Sequence, residues 1–156
     1  MNKVGCRYQI SEAFAFSEPT LDAQTIIPFV NEFAMNVLVT GHPSKKILPE
    51  VISFSSTAKF TGIVHLRLAR EEKVKVEHFE LLHHTTRPNG KKLPPQCRQC
   101  NCYRSWNVPS KAPKKYNKIL TFSCRTKGCS GVYEALPLKG YQPVSKDLKN
   151  LFKVVL

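Results

Sequence analysis

Cys97, Cys100, Cys124 and Cys129 carry the most legible chemistry in this chain. They form two close pairs, Cys97-Arg98-Gln99-Cys100 and Cys124-Arg125-Thr126-Lys127-Gly128-Cys129, with 23 residues between them. A spacer of hairpin size lets the pairs meet, with four thiolates at the corners of a tetrahedron. That is the coordination a structural Zn²⁺ requires, and one such ion is the expected cofactor. Cys102 adds a third sulfur to the first cluster and is an alternative to Cys100 at that corner. Cys6 is remote and reads as a core residue. Two tight clusters, in place of scattered cysteines, argue for metal over three disulfides or inert buried thiols.

The positive charge lies in the same region. Residues 1–90 carry 10 Lys+Arg against 9 Asp+Glu, whereas residues 91–156 carry 14 against 2, Glu134 and Asp147. Arg98, Arg104, Lys111, Lys114, Lys115, Lys118, Arg125 and Lys127 surround the cysteine clusters, with Tyr103, Trp106, Tyr116, Phe122 and Tyr133 among them. Cations neutralise phosphates and flat rings stack on unpaired bases, so nucleic acid is the expected partner, DNA and RNA both remaining open. Small metal-braced modules also use their few aromatics as core, and that is the first expectation for these rings. An acidic protein would satisfy the same charge, which makes a protein–protein adaptor the alternative function.

The elements that must position these residues are short. Tyr103–Val108, Ile119–Ser123 and Val132–Leu136 read as strands, with a loop over Pro109–Lys115. Two cysteine knuckles on short antiparallel strands resemble the zinc-ribbon class over about residues 95–138. That resemblance implies a small module held by one ion whose binding supplies folding free energy.

A second resemblance involves His78-Phe79-Glu80 upstream of Cys97 and Cys100. A His-x-Glu followed by Cys-x-x-Cys is similar to the signature of zinc-dependent nucleobase deaminases. It implies His78, Cys97 and Cys100 as ligands and Glu80 as general acid/base. Gln96, not proline, directly precedes Cys97, and Cys124 and Cys129 are left without a role. No phosphate-cradling Gly-rich loop or nucleophile elbow accompanies it, so the non-enzymatic reading is preferred.

The N-terminal part reads as a helix plus a β-hairpin. The helix begins after Pro19 with Thr20 as N-cap, carries Leu21, Ile26, Ile27, Val30, Phe33, Ala34, Val37 and Leu38 as its apolar face, starts or bends at Pro28, and ends at Gly41. Pro49 to Phe60 has mixed signals. Gly62–Leu68 and Lys73–Phe79 alternate as strands across Ala69–Glu72. Thr85–Pro95 has the composition of a linker, which puts the boundary near residue 90. Residues 145–156 carry an amphipathic helix pattern, although their apolar end, Leu151–Leu156, has no helix-stop signal and also suits a docked strand. The expected fold class is α+β: residues 1–90 form a near-neutral helix-and-hairpin domain, and residues 91–156 form a basic, antiparallel zinc-ribbon-like module. No apolar run approaches the ~18–20 residues of a transmembrane helix. No secretory leader is evident, so an intracellular location, nuclear or cytoplasmic, is expected.

Overall fold

The computed structural model describes residues 11–68, 73–103, 106–108, 118–148 and 150–156. It combines helices with antiparallel sheet, as an α+β chain should. Strands β1 (Glu12–Phe16), β2 (Ile63–Leu68), β3 (Val74–Leu81), β6 (Gln142–Pro143) and β7 (Leu151–Val155) make one sheet in the order β1-β2-β3-β7-β6. Helices α1 (Ala23–Ala34) and α2 (Ser44–Phe54) cover one face of it. Strands β4 (Leu120–Ser123) and β5 (Val132–Ala135) form a separate ribbon.

Side-chain alternation decides which face the helices cover. Ile63, Phe79, Leu81 and Leu151 lie together in the core with Phe29, Leu48, Val51 and Ile52, and β1 adds Phe14 and Phe16. Phe14 meets Phe29 and Phe33 edge-on, at centroid distances of 5.4 and 4.8 Å. These contacts set the rotation of α1. Phe29 and Phe33 are one turn apart and bury the largest rings, whereas Ile27 and Val30 of the expected apolar face are half exposed and Leu38 is 80% exposed. Asp22, not Thr20, caps α1, its carboxylate accepting from the Gln24 amide at 2.7 Å. Pro28 sits inside α1 without starting it. It lies on the exposed side, where water can satisfy the Gln24 carbonyl left without its donor. A short π-helical stretch, Met35–Val39, follows before Gly41 turns the chain at a φ of 71°. The mixed segment after Pro49 belongs to α2 and the turn Thr57–Lys59.

Both expected hairpin strands form, and the loop between them lies outside the described residues. Glu77 is nevertheless buried on the helix-covered face, between Lys153 at 3.1 Å, Lys75 at 3.6 Å and His65 at 3.8 Å. Burial pushes its carboxyl upward, but the Lys153 hydrogen bond and the surrounding positive charge outweigh this, holding it below its ordinary 4.5.

Of the two readings of the chain end, the docked strand holds and the amphipathic helix does not: Leu151 pairs with Leu81 and Val155 with Glu77, so the chain end closes the N-terminal sheet. A cut near residue 90 therefore does not separate two continuous halves. The Thr85–Pro95 segment, in turn, is no solvated linker. Arg87, Pro88, Asn89 and Gly90 are all buried.

This turn joins the sheet to the ribbon. Arg87 donates to Glu80 on β3 at 3.0 Å and to the Gly90 carbonyl at 2.6 Å. Asn89 adopts the left-handed conformation, φ 50°, and its side-chain amide donates to the carbonyls of Ala135 at 2.8 Å and of Lys118. Gly62, opposite this site, leaves the space that the Glu80 carboxylate occupies; a Cβ there would lie 2.4 Å from Glu80 Oε1.

Asn89→Ala should leave two inward-facing carbonyls without their donor and lower unfolding stability by about 3 kcal/mol, read from the urea midpoint. A change within experimental error would show that the clamp is idle. For Glu77, a depressed native pKa contributes stability that is present above the unfolded value and lost as pH falls through the native one. Wild-type melting temperature should therefore drop below about pH 4.5 and that of Glu77→Gln should drop less; parallel pH curves would refute this assignment.

Candidate metal centre

Local backbone chemistry shapes two turns that face each other. In the first, the Asn101 amide donates to the Cys97 carbonyl at 2.8 Å, and Asn101 takes a φ of 57° to let the chain reverse. The Cys97 amide then donates to the Cys102 carbonyl at 3.1 Å. In the second, the Cys129 amide donates to the Thr126 carbonyl at 3.0 Å and Gly128 takes a φ of 79°. Strands β4 and β5 hold this second turn, with Phe122 opposite Tyr133. The Cys124 amide closes it by donating to the Gly131 carbonyl at 2.8 Å.

The result is convergence of Cys97, Cys100, Cys124 and Cys129. Their Sγ atoms all lie within 4.8 Å of one another, a set that could hold a metal ion. Cys97 is 3.8 Å from Cys129, and Cys100 is 3.6 Å from Cys124. A tetrahedron with metal–sulfur bonds of about 2.3 Å spaces its sulfurs by roughly 3.8 Å. A disulfide would instead bring them to about 2.05 Å. The donor set therefore fits a four-thiolate metal site.

Backbone amides support the sulfurs. The Thr126 amide points at Cys124 Sγ at 3.5 Å and the Gly131 amide at Cys129 Sγ at 3.3 Å. Cys100 is brought down to about 6, first by the Cys102 amide and then by the Thr126 hydroxyl. Cys124 is also lowered, chiefly by that hydroxyl. At Cys129 the Gly131 amide acts downward, but desolvation and the neighbouring sulfurs prevail, and the thiol is pushed up to about 12.

Cys102 is exposed and lies outside the four-sulfur group, so Cys100 takes the contested corner. Cys6 lies outside the described residues. His78 and Glu80 are not brought to the sulfurs, which corrects the ligand set implied by the deaminase resemblance: the candidate ligand group among the described residues contains no histidine. His78 instead accepts or donates at 2.6 Å with the Tyr141 hydroxyl and lies 3.3 Å from Glu80, which the Arg87 ion pair engages. Burial, with the Glu80 charge, pushes the Tyr141 hydroxyl up to about 12.

Of the expected cations, Arg98, Arg125 and Lys127 are exposed on the two cysteine turns, and Lys118 is exposed before β4, at the other end of the ribbon. Arg104, Lys111, Lys114 and Lys115 lie outside the described residues. Trp106 and Phe122 are core, as expected for a small module, whereas Tyr103 is 71% exposed. Gly131 was missed by sequence reasoning. A Cβ there would lie 2.5 Å from Cys97 Sγ, so the chain can pass the cluster only as glycine. Its place two residues after a ligand cysteine was the available signal.

No protein-family model, no curated protein and no solved structure matches this chain. Function therefore rests on the site itself.

Because a thiophilic metal must displace the Cys129 proton, metal addition at pH 7 should release protons into weak buffer, as a pH-indicator dye would record. Gly131→Ala should weaken metal affinity by at least about tenfold in chelator competition. Metal uptake with no proton release, or affinity unaltered by the added methyl, would contradict this geometry.

Proposed function

We propose that the four cysteines hold one structural Zn²⁺, and that the zinc-ribbon-like module around it binds nucleic acid without catalysing a reaction. Four soft thiolates in tetrahedral disposition suit zinc or iron, and zinc, which has no redox chemistry, is the ion that would act as a brace alone. The observation that carries the binding role is the second turn. Arg125 and Lys127 project from the stretch between ligands Cys124 and Cys129, where the metal and the Cys129–Thr126 hydrogen bond restrain the backbone. Cations held on a braced turn meet a phosphate backbone with less entropy to lose than cations on a floppy arm. Arg98 occupies the equivalent place between Cys97 and Cys100, and Lys118 lies at the start of the ribbon. Phosphate contacts of this kind give affinity with weak sequence preference.

The alternative is a protein adaptor whose ribbon recognises an acidic partner through the same exposed Arg98, Arg125 and Lys127. No helix among the described residues is long and apolar enough to cross a membrane.

Elemental analysis should find one zinc per chain, lost in Cys124→Ser; iron in its place would overturn the metal assignment. Affinity for single-stranded DNA or RNA should fall steeply with salt, and replacing both Arg125 and Lys127 by Glu should reduce it at least tenfold while zinc content stays at one. A salt-independent affinity, or binding untouched by the charge reversal, would refute the proposed surface.

A further inference from the structure

Away from the ribbon's cysteines, part of the five-stranded sheet is built the wrong way round for water. Strand pairing puts Glu12, His65, Arg67, Lys75, Glu77 and Lys153 on one face, the face that the helices cover. Most find partners there. His65 lies 3.3 Å from Glu12, Lys153 lies 3.1 Å from Glu77, and Ser44 at the start of α2 donates to Glu12 at 2.5 Å. The same pairing puts Leu66, Leu68, Val74, Val76 and Leu156 on the opposite, outer face, beside Ala13 and Ala15 of β1. An antiparallel sheet with one solvated face normally turns its polar side chains outward. Here the charged residues turn inward and the apolar ones outward.

One end of this outer face is covered. Arg87 lies on Glu80, Tyr141 on His78, and Gly140 beside Val154. Past His78 the face is bare: Leu68, Val74 and Leu156 are 48, 58 and 75% exposed, and both alanines are exposed. Among the described residues, the rows of Ala13, Leu66, Val76 and Leu156 and of Leu68 and Val74 hold no Asp, Glu, Lys or Arg. A contiguous apolar patch of this kind marks an interaction surface. Without charge it has nothing to offer a polyanion or an acidic peptide. Half covered and half bare, the face forms a step. A two-fold axis running across the strands sets the bare half of one copy on the bare half of another, and carries each covered end past its partner's hairpin. A step is thus its own complement, as an isologous interface requires.

We infer that the bare half of the outer sheet face is a dimerisation surface, occupied by the same face of a second copy of this chain. The two sheets pack face to face, about 10 Å apart. Four strands give the patch a width of about 19 Å, and its rows a length of about 15 Å. With the relief of the side chains, two such faces remove roughly 1,000 Å² from water, the size of a weak, exchanging complex. The dimer therefore forms and dissociates with protein concentration. It depends on neither the metal nor the nucleic-acid reading above.

Sedimentation equilibrium of the full chain tests this, with a reductant present so that no disulfide links two copies. The average mass should rise from 17.7 kDa toward twice that value. The rise should appear between about 1 and about 200 µM protein. Each copy carries a net charge of +13, so added salt should screen the repulsion and tighten the dimer, opposite to its effect on nucleic-acid binding. Val74→Glu, at a position open to solvent in the single chain, brings two carboxylates into the interface and should weaken association at least about tenfold. The melting temperature of the dilute variant should stay within about 2 °C of wild type. A single-chain mass at the highest concentration would overturn the inference, as would association that weakens with salt or survives Val74→Glu unchanged. A chain that stays single and melts far lower as Val74→Glu would show the face closed within one copy, and that too would overturn the dimer.

Discussion

Sulfurs whose nearest pairs are 3.6 and 3.8 Å apart could not all be ionised without a cation between them. That constraint governs the ribbon. Its apolar cluster of Trp106, Phe122 and Ala135 with two of the cysteines is too small to hold two turns together by burial alone. A metal held by these sulfurs would contribute its binding free energy to folding and would restrain the turns that carry Arg98, Arg125 and Lys127. The split in the thiols' proton affinities follows from the same crowding. Amide and hydroxyl donors favour the charged form at Cys100 and Cys124, and the cost of adding another negative charge falls on Cys129.

A second constraint ties this ribbon to the sheet. The turn at residues 87–90 inserts an arginine and an asparagine into a buried site, which is expensive unless both are satisfied. Arg87 is neutralised by Glu80, and Asn89 bonds carbonyls on either side of the ribbon's sequence, Lys118 before β4 and Ala135 at the end of β5. The turn thus reads both parts at once. Closing β7 onto β3 returns the chain to the sheet after the ribbon, so the ribbon is an excursion from the fold and not an appendage at its end.

The division of charge follows this architecture. The helix-covered sheet keeps its ionisable groups in internal pairs, Glu77 with Lys153 and Lys75 among them. Arg98, Arg125 and Lys127, by contrast, are exposed on the turns that carry the sulfurs.

The sequence by itself pointed to the two cysteine clusters, the hairpin strands and the excess of positive charge after residue 90, because cysteine spacing, two-residue alternation and net charge are local properties. It also foresaw that Trp106 and Phe122 would serve as core. Tertiary structure alone decided that Cys100 and not Cys102 faces the cluster, that Phe29 and not Ile27 or Val30 turns inward, and that a Pro- and Gly-rich stretch with linker composition is a buried clamp. It also decided that the chain's apolar end is a strand, since a short apolar run takes whichever form its neighbours can pair or bury. The reason is common to all four. Whether a thiol, a ring, an amide or a backbone is satisfied depends on a partner far away in the chain, and composition carries no record of who that partner is.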